Sequence, residues 1–188
     1  VSMVGTWVQR VAVGWLTWEL THSTMWLGII AFAELLPTLL VGLFAGAIAD
    51  RANRLLLFRI SQVLAMSQSA ALWALTFLGL ITADLLLIFT LYLGFIYGFA
   101  QPIRLSLIPS LVRPNDLHAA ISCNSLFFNI ARVIGPIIAG AVIIKRDIAH
   151  AFGINVFTYF ALLWASTFLN IKAPGAKNRG KHGMLSGI

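Results

Sequence analysis

Charge is scarce in this chain of 188 residues: 10% are Asp, Glu, Lys or Arg, while 60% are hydrophobic, and the mean hydropathy is +0.91. A water-soluble domain carries roughly 25% charged residues and keeps them on its surface, so this chain is not expected to dissolve in water. Cysteine is reduced to one residue, Cys123, set within an apolar stretch, which excludes an internal disulfide framework and a cysteine metal site. The six acids are scattered, and there is no nucleophile elbow, Walker loop or helical His-Glu-x-x-His. His22, His118, His150 and His182 fall near the ends of apolar runs and do not pair. Neither a metal nor a cofactor is therefore expected, and a nucleotide-driven process would need another subunit. The opening residues have no charged leader, so no cleavable signal peptide is expected, and the first apolar run is expected to begin before Val1.

What remains is apolar sequence in long runs. A helix that crosses hydrocarbon needs roughly 20 mostly apolar residues, and six such runs are present. The first extends from before Val1 to about Leu20, the second from Leu27 to Ala47, the third from Leu55 to Ile81, and the fourth from Leu85 to Val112. The fifth covers Leu117 to Ile144 and the sixth Ala149 to Ile171. Barrel strands would give only about ten residues of alternating pattern, so the expected fold is an all-α integral membrane bundle occupying residues 1–171. Thr21-His22-Ser23-Thr24, Thr82-Ala83-Asp84, Arg113-Pro114-Asn115-Asp116 and Lys145-Arg146-Asp147 punctuate the runs. Asp84 and Asp116 are the expected N-caps of the helices that follow them.

The formal net charge of +7 does not imply nucleic acid, because the bases form no single patch and the Trp and Phe residues lie inside apolar runs. The bases instead report topology, since they accumulate in cytoplasmic loops. With the second connection in the cytoplasm, that side holds Arg51, Arg54, Arg59, Arg113, Lys172, Lys177, Arg179 and Lys181, against Lys145 and Arg146 opposite. Both ends of the six-helix unit are then cytoplasmic. Residues 172–188 are polar and rich in Gly and bases, and read as the start of a cytoplasmic linker.

Charges inside membrane helices are expensive and face a cavity or a partner. Arg10, Arg104 and Arg132 lie at membrane depth. So does Glu34, which either exchanges a proton or holds a cationic group, or else pairs internally with Arg10 or Arg132. Asn129 and Arg132, three residues apart, share a helical face on which a polar or anionic molecule would be met. Gly42-Leu-Phe-Ala-Gly46, Gly94-Phe-Ile-Tyr-Gly98 and the series Ala131, Gly135, Ala139 place small residues four apart. Tight helix packing is the preferred reading of that spacing over a ligand role. Asp50 ends the second run, where a negative charge opposes the helix dipole. Its partner is Arg51, Arg54 or a helix N-terminus elsewhere, unless the turn merely holds solvated charges.

Gly46, Asp50, Arg51 and Arg54 stand in the order of the signature between helices two and three of the major facilitator superfamily, which the sequence resembles. Asn53 occupies a position where Gly is usual, and Asn tolerates a left-handed backbone there. Ala131-Arg132-Val-Ile-Gly135-Pro136-Ile-Ile-Ala139-Gly140 is similar to the Gly-Pro signature of exporters and antiporters in that superfamily. Gly5-Thr-Trp7-Val-Gln9-Arg10, Leu20-Thr-His-Ser23, Phe99-Ala-Gln101-Pro102 and Leu111-Val-Arg-Pro114 look like its secretion-effector branch, which contains enterobactin exporters. Helix four lacks the superfamily's Arg-x-x-x-Gly element, Arg104 being followed by Ile108, so no proton-coupling role passes to Arg104.

The resemblance covers essentially the whole chain. It implies the N-terminal half of a transporter of a bacterial inner membrane, built as two inverted three-helix repeats, with the second half absent. It implies a proton-coupled exporter of an amphipathic small molecule such as a siderophore or drug. Gly46, Asp50, Arg51 and Arg54 would lock one conformation, while a helix bent at Pro136, carrying Arg132, Gly135 and Gly140, would gate against leakage. Arg10, Glu34, Gln101 and Asn129 would line the substrate or proton path. The competing readings are a membrane-embedded lipid-modifying enzyme and a noncatalytic scaffold.

Overall fold

The computed structural model describes residues 2–49 and 53–168. Among these the chain forms six α-helices: α1 (Ser2–Thr21), α2 (Thr24–Ala49), α3 (Arg54–Phe77), α4 (Ala83–Leu111), α5 (Leu117–Lys145) and α6 (Ile148–Thr167). A single 3-10 turn over Pro114–Asp116 leads into α5. Five of the helices are long and apolar enough to cross a membrane; α1 is not among them. Thr6, Gln9, Arg10, Thr17 and Glu19 dilute its apolar content, and the polar members of this set that are buried face the bundle rather than lipid. The protein is an all-helical integral membrane protein.

The helix boundaries follow local chemistry, with departures from the sequence reading. Thr82, not Asp84, caps α4: its backbone is extended and its hydroxyl accepts from the Leu85 amide at 3.3 Å, leaving Asp84 inside the first turn. A carboxylate there still favours the positive helix end. Asp116 sits at the start of α5 but makes no capping bond, because the preceding 3-10 turn holds its backbone at φ −97°, ψ 1°. Asn53 does not adopt a left-handed turn. It is extended (φ −69°, ψ 100°) and caps α3, its side-chain oxygen accepting from the Leu55 and Leu56 amides. The third helix stops at Phe77 rather than Ile81 because Gly79 takes φ +68° and the amides of Gly79 and Leu80 return to the carbonyls of Thr76 and Leu75. These two bonds form the Schellman closure.

Short connections make consecutive helices antiparallel. The main packing partners are α2 with α4, α3 with α6 and α4, and α1 with α5 and α6. Small residues set the closest approaches. A Cβ on Gly94 would lie 2.7 Å from the Glu34 carbonyl oxygen, one on Gly98 would lie 2.6 Å from Val41 Cβ, and one on Gly135 would lie 2.4 Å from Trp7 Cβ. Ala131, Gly135 and Ala139 are the buried residues of α5. The four-residue spacing at Gly94–Gly98 and along α5 is thus used for helix packing.

Burial divides the bundle along its length. Leu16, Ile30, Leu72, Leu86, Ile148 and Phe152 belong to one continuous apolar core at the end where α1, α3 and α5 finish. Outward-facing residues such as Phe32, Leu39, Val63, Ile137 and Phe160 are exposed and apolar, as lipid contact requires.

Candidate functional site

The opposite end of the bundle is hollow. Helical periodicity brings Met3, Thr6, Trp7 and Arg10 of α1 to one face, and Tyr97, Ala100, Gln101 and Arg104 of α4 repeat the same i, i+3, i+4, i+7 stripe. These stripes, with Phe58 and Gln62 of α3, Phe127, Phe128 and Ala131 of α5, and Tyr159 of α6, enclose a cavity of about 480 Å³. That is within the range of small-molecule sites, and its walls are aromatic with a few polar groups, the composition such sites use.

At the inner wall Arg10 Nη2 donates to Glu34 Oε1 as an ion pair joining α1 to α2. The Arg10 guanidinium also lies 4.8 Å from the centre of the Trp7 ring, a distance at which the ring quadrupole attracts a cation. Behind this pair is a void of about 20 Å³ lined by Thr6, Gln9, Arg10, Glu34, Gln68, Thr90 and Tyr97. It has room for one water and polar partners around it.

Between the cavity and the apolar core lies a buried polar cluster. Gln9 Nε2 donates to Gln68 Oε1 at 2.8 Å. Gln9 Oε1 accepts from Ser69 Oγ at 2.5 Å and from Asn155 Nδ2 at 2.7 Å. Gln68 Nε2 continues to the Phe89 carbonyl at 3.2 Å. Four helices are therefore tied by side chains that are at most 2% exposed. Next to it the hydroxyls of Tyr97 and Tyr159 are 3.0 Å apart, each 3.5 Å from Thr6 Oγ1. Gln9, Gln68, Ser69, Asn155, Tyr97 and Tyr159 were not among the sequence candidates. The signal was there, since an amide inside an apolar run is nearly as costly as a charge and demands a partner.

The sequence candidates separate into groups. Arg10 and Glu34 meet, so the internal pair with Arg10 is the arrangement found. Gln101 lines the cavity. Asn129 is exposed and donates to the Ser125 carbonyl at 2.9 Å. Arg132 lies over the Trp7 ring at 5.8 Å. Neither is among the residues lining the cavity. Gly135 packs on Trp7, whereas Gly140 has nothing within 4 Å of an added Cβ. Pro136 lies inside the continuous helix α5. Of the residues expected to form a lock, Arg54 Nη1 donates to the Ser106 carbonyl at 3.2 Å, binding the start of α3 to α4. Gly46 lies in α2, and Asp50 and Arg51 fall outside the described residues.

No solved structure matches the chain. The staphyloferrin A transporter of Staphylococcus aureus is 30% identical over 158 residues, which is 84% of this chain and 40% of that protein. The chain thus spans about two fifths of the length of this curated relative. Residues 1–180 match the family described as transmembrane secretion effector, a family of transporters and not of enzymes, which removes the lipid-modifying alternative. By that match the chain belongs to the transmembrane secretion effector family of the major facilitator superfamily.

Proposed function

We propose that this chain is the first half of a secondary active transporter, and that the whole protein exports an amphipathic small molecule, a siderophore or a drug, in exchange for protons. The observation that carries this reading is the aromatic cavity of about 480 Å³ with an Arg10–Glu34 ion pair at its inner wall, held in a lipid-facing bundle. An exposed aromatic chamber suits a flat or amphipathic solute, and a carboxylate paired with a cation beside it suits proton exchange. Protonating Glu34 would release Arg10 and change how α1 is tied to α2.

Two inverted three-helix repeats are the proposed architecture. It is supported by the way α1 packs on α5 and α6 as α4 packs on α2 and α3, with α3 against α6. In this reading the cavity lies at the cytoplasmic end, the side to which the bases of the second and fourth connections belong, in a bacterial inner membrane. Gly46, Asp50, Arg51 and Arg54 act as the lock, and α5 with Arg132, Gly135, Pro136 and Gly140 acts as the gate. Gln101 and Asn129 belong to the path, with Asn129 reached as the halves move. A second half following residue 188 completes the chamber.

Flux in proteoliposomes holding the full-length protein tests this. Staphyloferrin A, named by the relative, is the first solute, and its movement is expected to follow an imposed pH gradient and stop with a protonophore. Glu34→Gln is expected to abolish the gradient dependence, and Asp50→Asn to lower the rate. A protein that moves no solute under any gradient would instead be a scaffold, and coupling that survives Glu34→Gln would remove Glu34 from the proton path.

A further inference from the structure

Arginine stays protonated at every accessible pH, so an arginine within a membrane bundle needs an anion or water near it. The two cavity stripes end alike, in Arg10 on α1 and Arg104 on α4, yet the two residues are not equivalent. Arg10 has the Glu34 carboxylate. Arg104 has no ion pair among the described residues, and its Nε is buried without a hydrogen-bond partner. None of the cavity's described lining residues is an acid. Its polar groups close to Arg104 along α4 are Gln101, one turn away, and the Tyr97 hydroxyl, two turns away, neither of which neutralises a cation. The same cavity is lined by the aromatic rings of Trp7, Phe58, Phe127 and Phe128.

We propose that the cavity selects an amphipathic organic oxyanion, with Arg104 as the residue that receives its carboxylate. The proposal rests on the transporter reading for what happens to the molecule afterwards, but the recognition itself needs only the cavity. A planar guanidinium offers parallel N–H donors that match a carboxylate, and on the half-buried Arg104 these are the donors its cavity-facing part can present. The rings accept the apolar body of the same molecule. A cation of equal size would meet an uncompensated positive charge and be rejected, since specificity arises as much from repulsion as from contact.

Three probes on one aromatic frame separate charge from shape: 2-naphthoate, 2-naphthamide and 2-naphthylmethylammonium, bound to the purified full-length protein by equilibrium dialysis. The anion is expected to bind about tenfold more tightly than the amide, as a charge-assisted bond to a buried donor allows, and the cation more weakly than either. In Arg104→Gln the anion-to-amide ratio is expected to fall to about one while the amide still binds. Arg104→Lys, which keeps charge without the fork, should fall between. A wild-type protein without anion preference overturns the proposal, as does a preference that survives Arg104→Gln. If Arg104→Gln does not fold, the wild-type ratio and Arg104→Lys decide. Solute flux with no anion preference would sink the anchor alone, whereas anion preference without flux would sink the transport reading alone.

Discussion

The two ends of the bundle are made from the same six helices and differ in what those helices carry. Along α1 the first turns present Thr6, Trp7 and Arg10 to the cavity, while later turns bury Ala12, Val13 and Leu16. Along α4 the order is reversed, with buried Leu86 near the start and Gln101 and Arg104 near the end. Antiparallel neighbours align these halves, so one end closes on apolar side chains and the other encloses a polar, aromatic space. The difference shows how one set of helices can be packed shut at one end and hollow at the other, and in the proposed transport reading the hollow end is the one that meets the solute. Stability should reside in the closed end, and binding in the open one.

The largest test removes the same side chain at each end. Phe152, fully buried in the closed end, is expected to cost about 3–5 kcal/mol when changed to Ala, through lost transfer energy and the cavity left behind. Phe127, 63% exposed on the cavity wall, is expected to cost under about 0.5 kcal/mol for the same change. Thermal unfolding of the full-length protein in one detergent measures both. Equal losses would break the comparison.

Next comes the place where α5 meets α1. Gly135→Ala puts a Cβ 2.4 Å from Trp7 Cβ, a distance that forces the backbones apart, for about 1–3 kcal/mol. Because Trp7 also faces the cavity and carries Arg10 over its ring, the same variant should weaken 2-naphthoate binding. A change in stability with binding untouched would mean that the cavity wall does not depend on the Gly135 contact.

The polar cluster between the two ends predicts a smaller loss. Gln9→Leu leaves Gln68 Oε1 without its donor and removes the shorter of two bonds from Ser69 Oγ and from Asn155 Nδ2, which keep the Ala65 carbonyl and Ser69 Oγ as acceptors. Unpaired buried groups cost about 1–3 kcal/mol each in water-soluble proteins, and single polar contacts in membranes less, so roughly 1–2 kcal/mol is expected in total. If Gln9→Leu proves more stable than the parent, the cluster is not a stabilising tie, and its retention would have to come from function.

How much of this was readable beforehand depended on the kind of signal. The helices were legible because each is an apolar run bounded by polar residues, a pattern that needs no partner to be recognised. Their caps were less so: Thr82 and Asp84 both suit a helix start, and only backbone geometry chooses the threonine. Arg10 and Glu34 were legible as site residues because a charge in an apolar run is conspicuous. Their pairing was one of several open readings, beside proton exchange, a held cationic group and a pair with Arg132, which has the same charge. The bond between Gln9 and Asn155 spans 146 positions, and nothing in a single sequence says which helices lie side by side. Arg104 was visible as a charge, but its lack of an ion-pair partner among the described residues is a property of the packed bundle alone.

The smallest expected effect separates two glycines of one motif. Gly140 lies on α5 five residues beyond Gly135, in the same signature, yet an added Cβ there meets nothing within 4 Å. A helical glycine with open space around it carries only its backbone entropy penalty, so Gly140→Ala should raise stability by up to about 1 kcal/mol. Transport by the full-length protein distinguishes the roles further. If Gly140 serves only as a passive helix residue, Gly140→Ala leaves the rate of solute movement unchanged along with the gain in stability. A slower rate in the more stable variant would place a moving contact at Gly140, one that forms when α5 meets a surface not packed against it here. In that case the closed end would also take part in the motion, and the division between an anchoring end and a solute-handling end would hold for the resting bundle only.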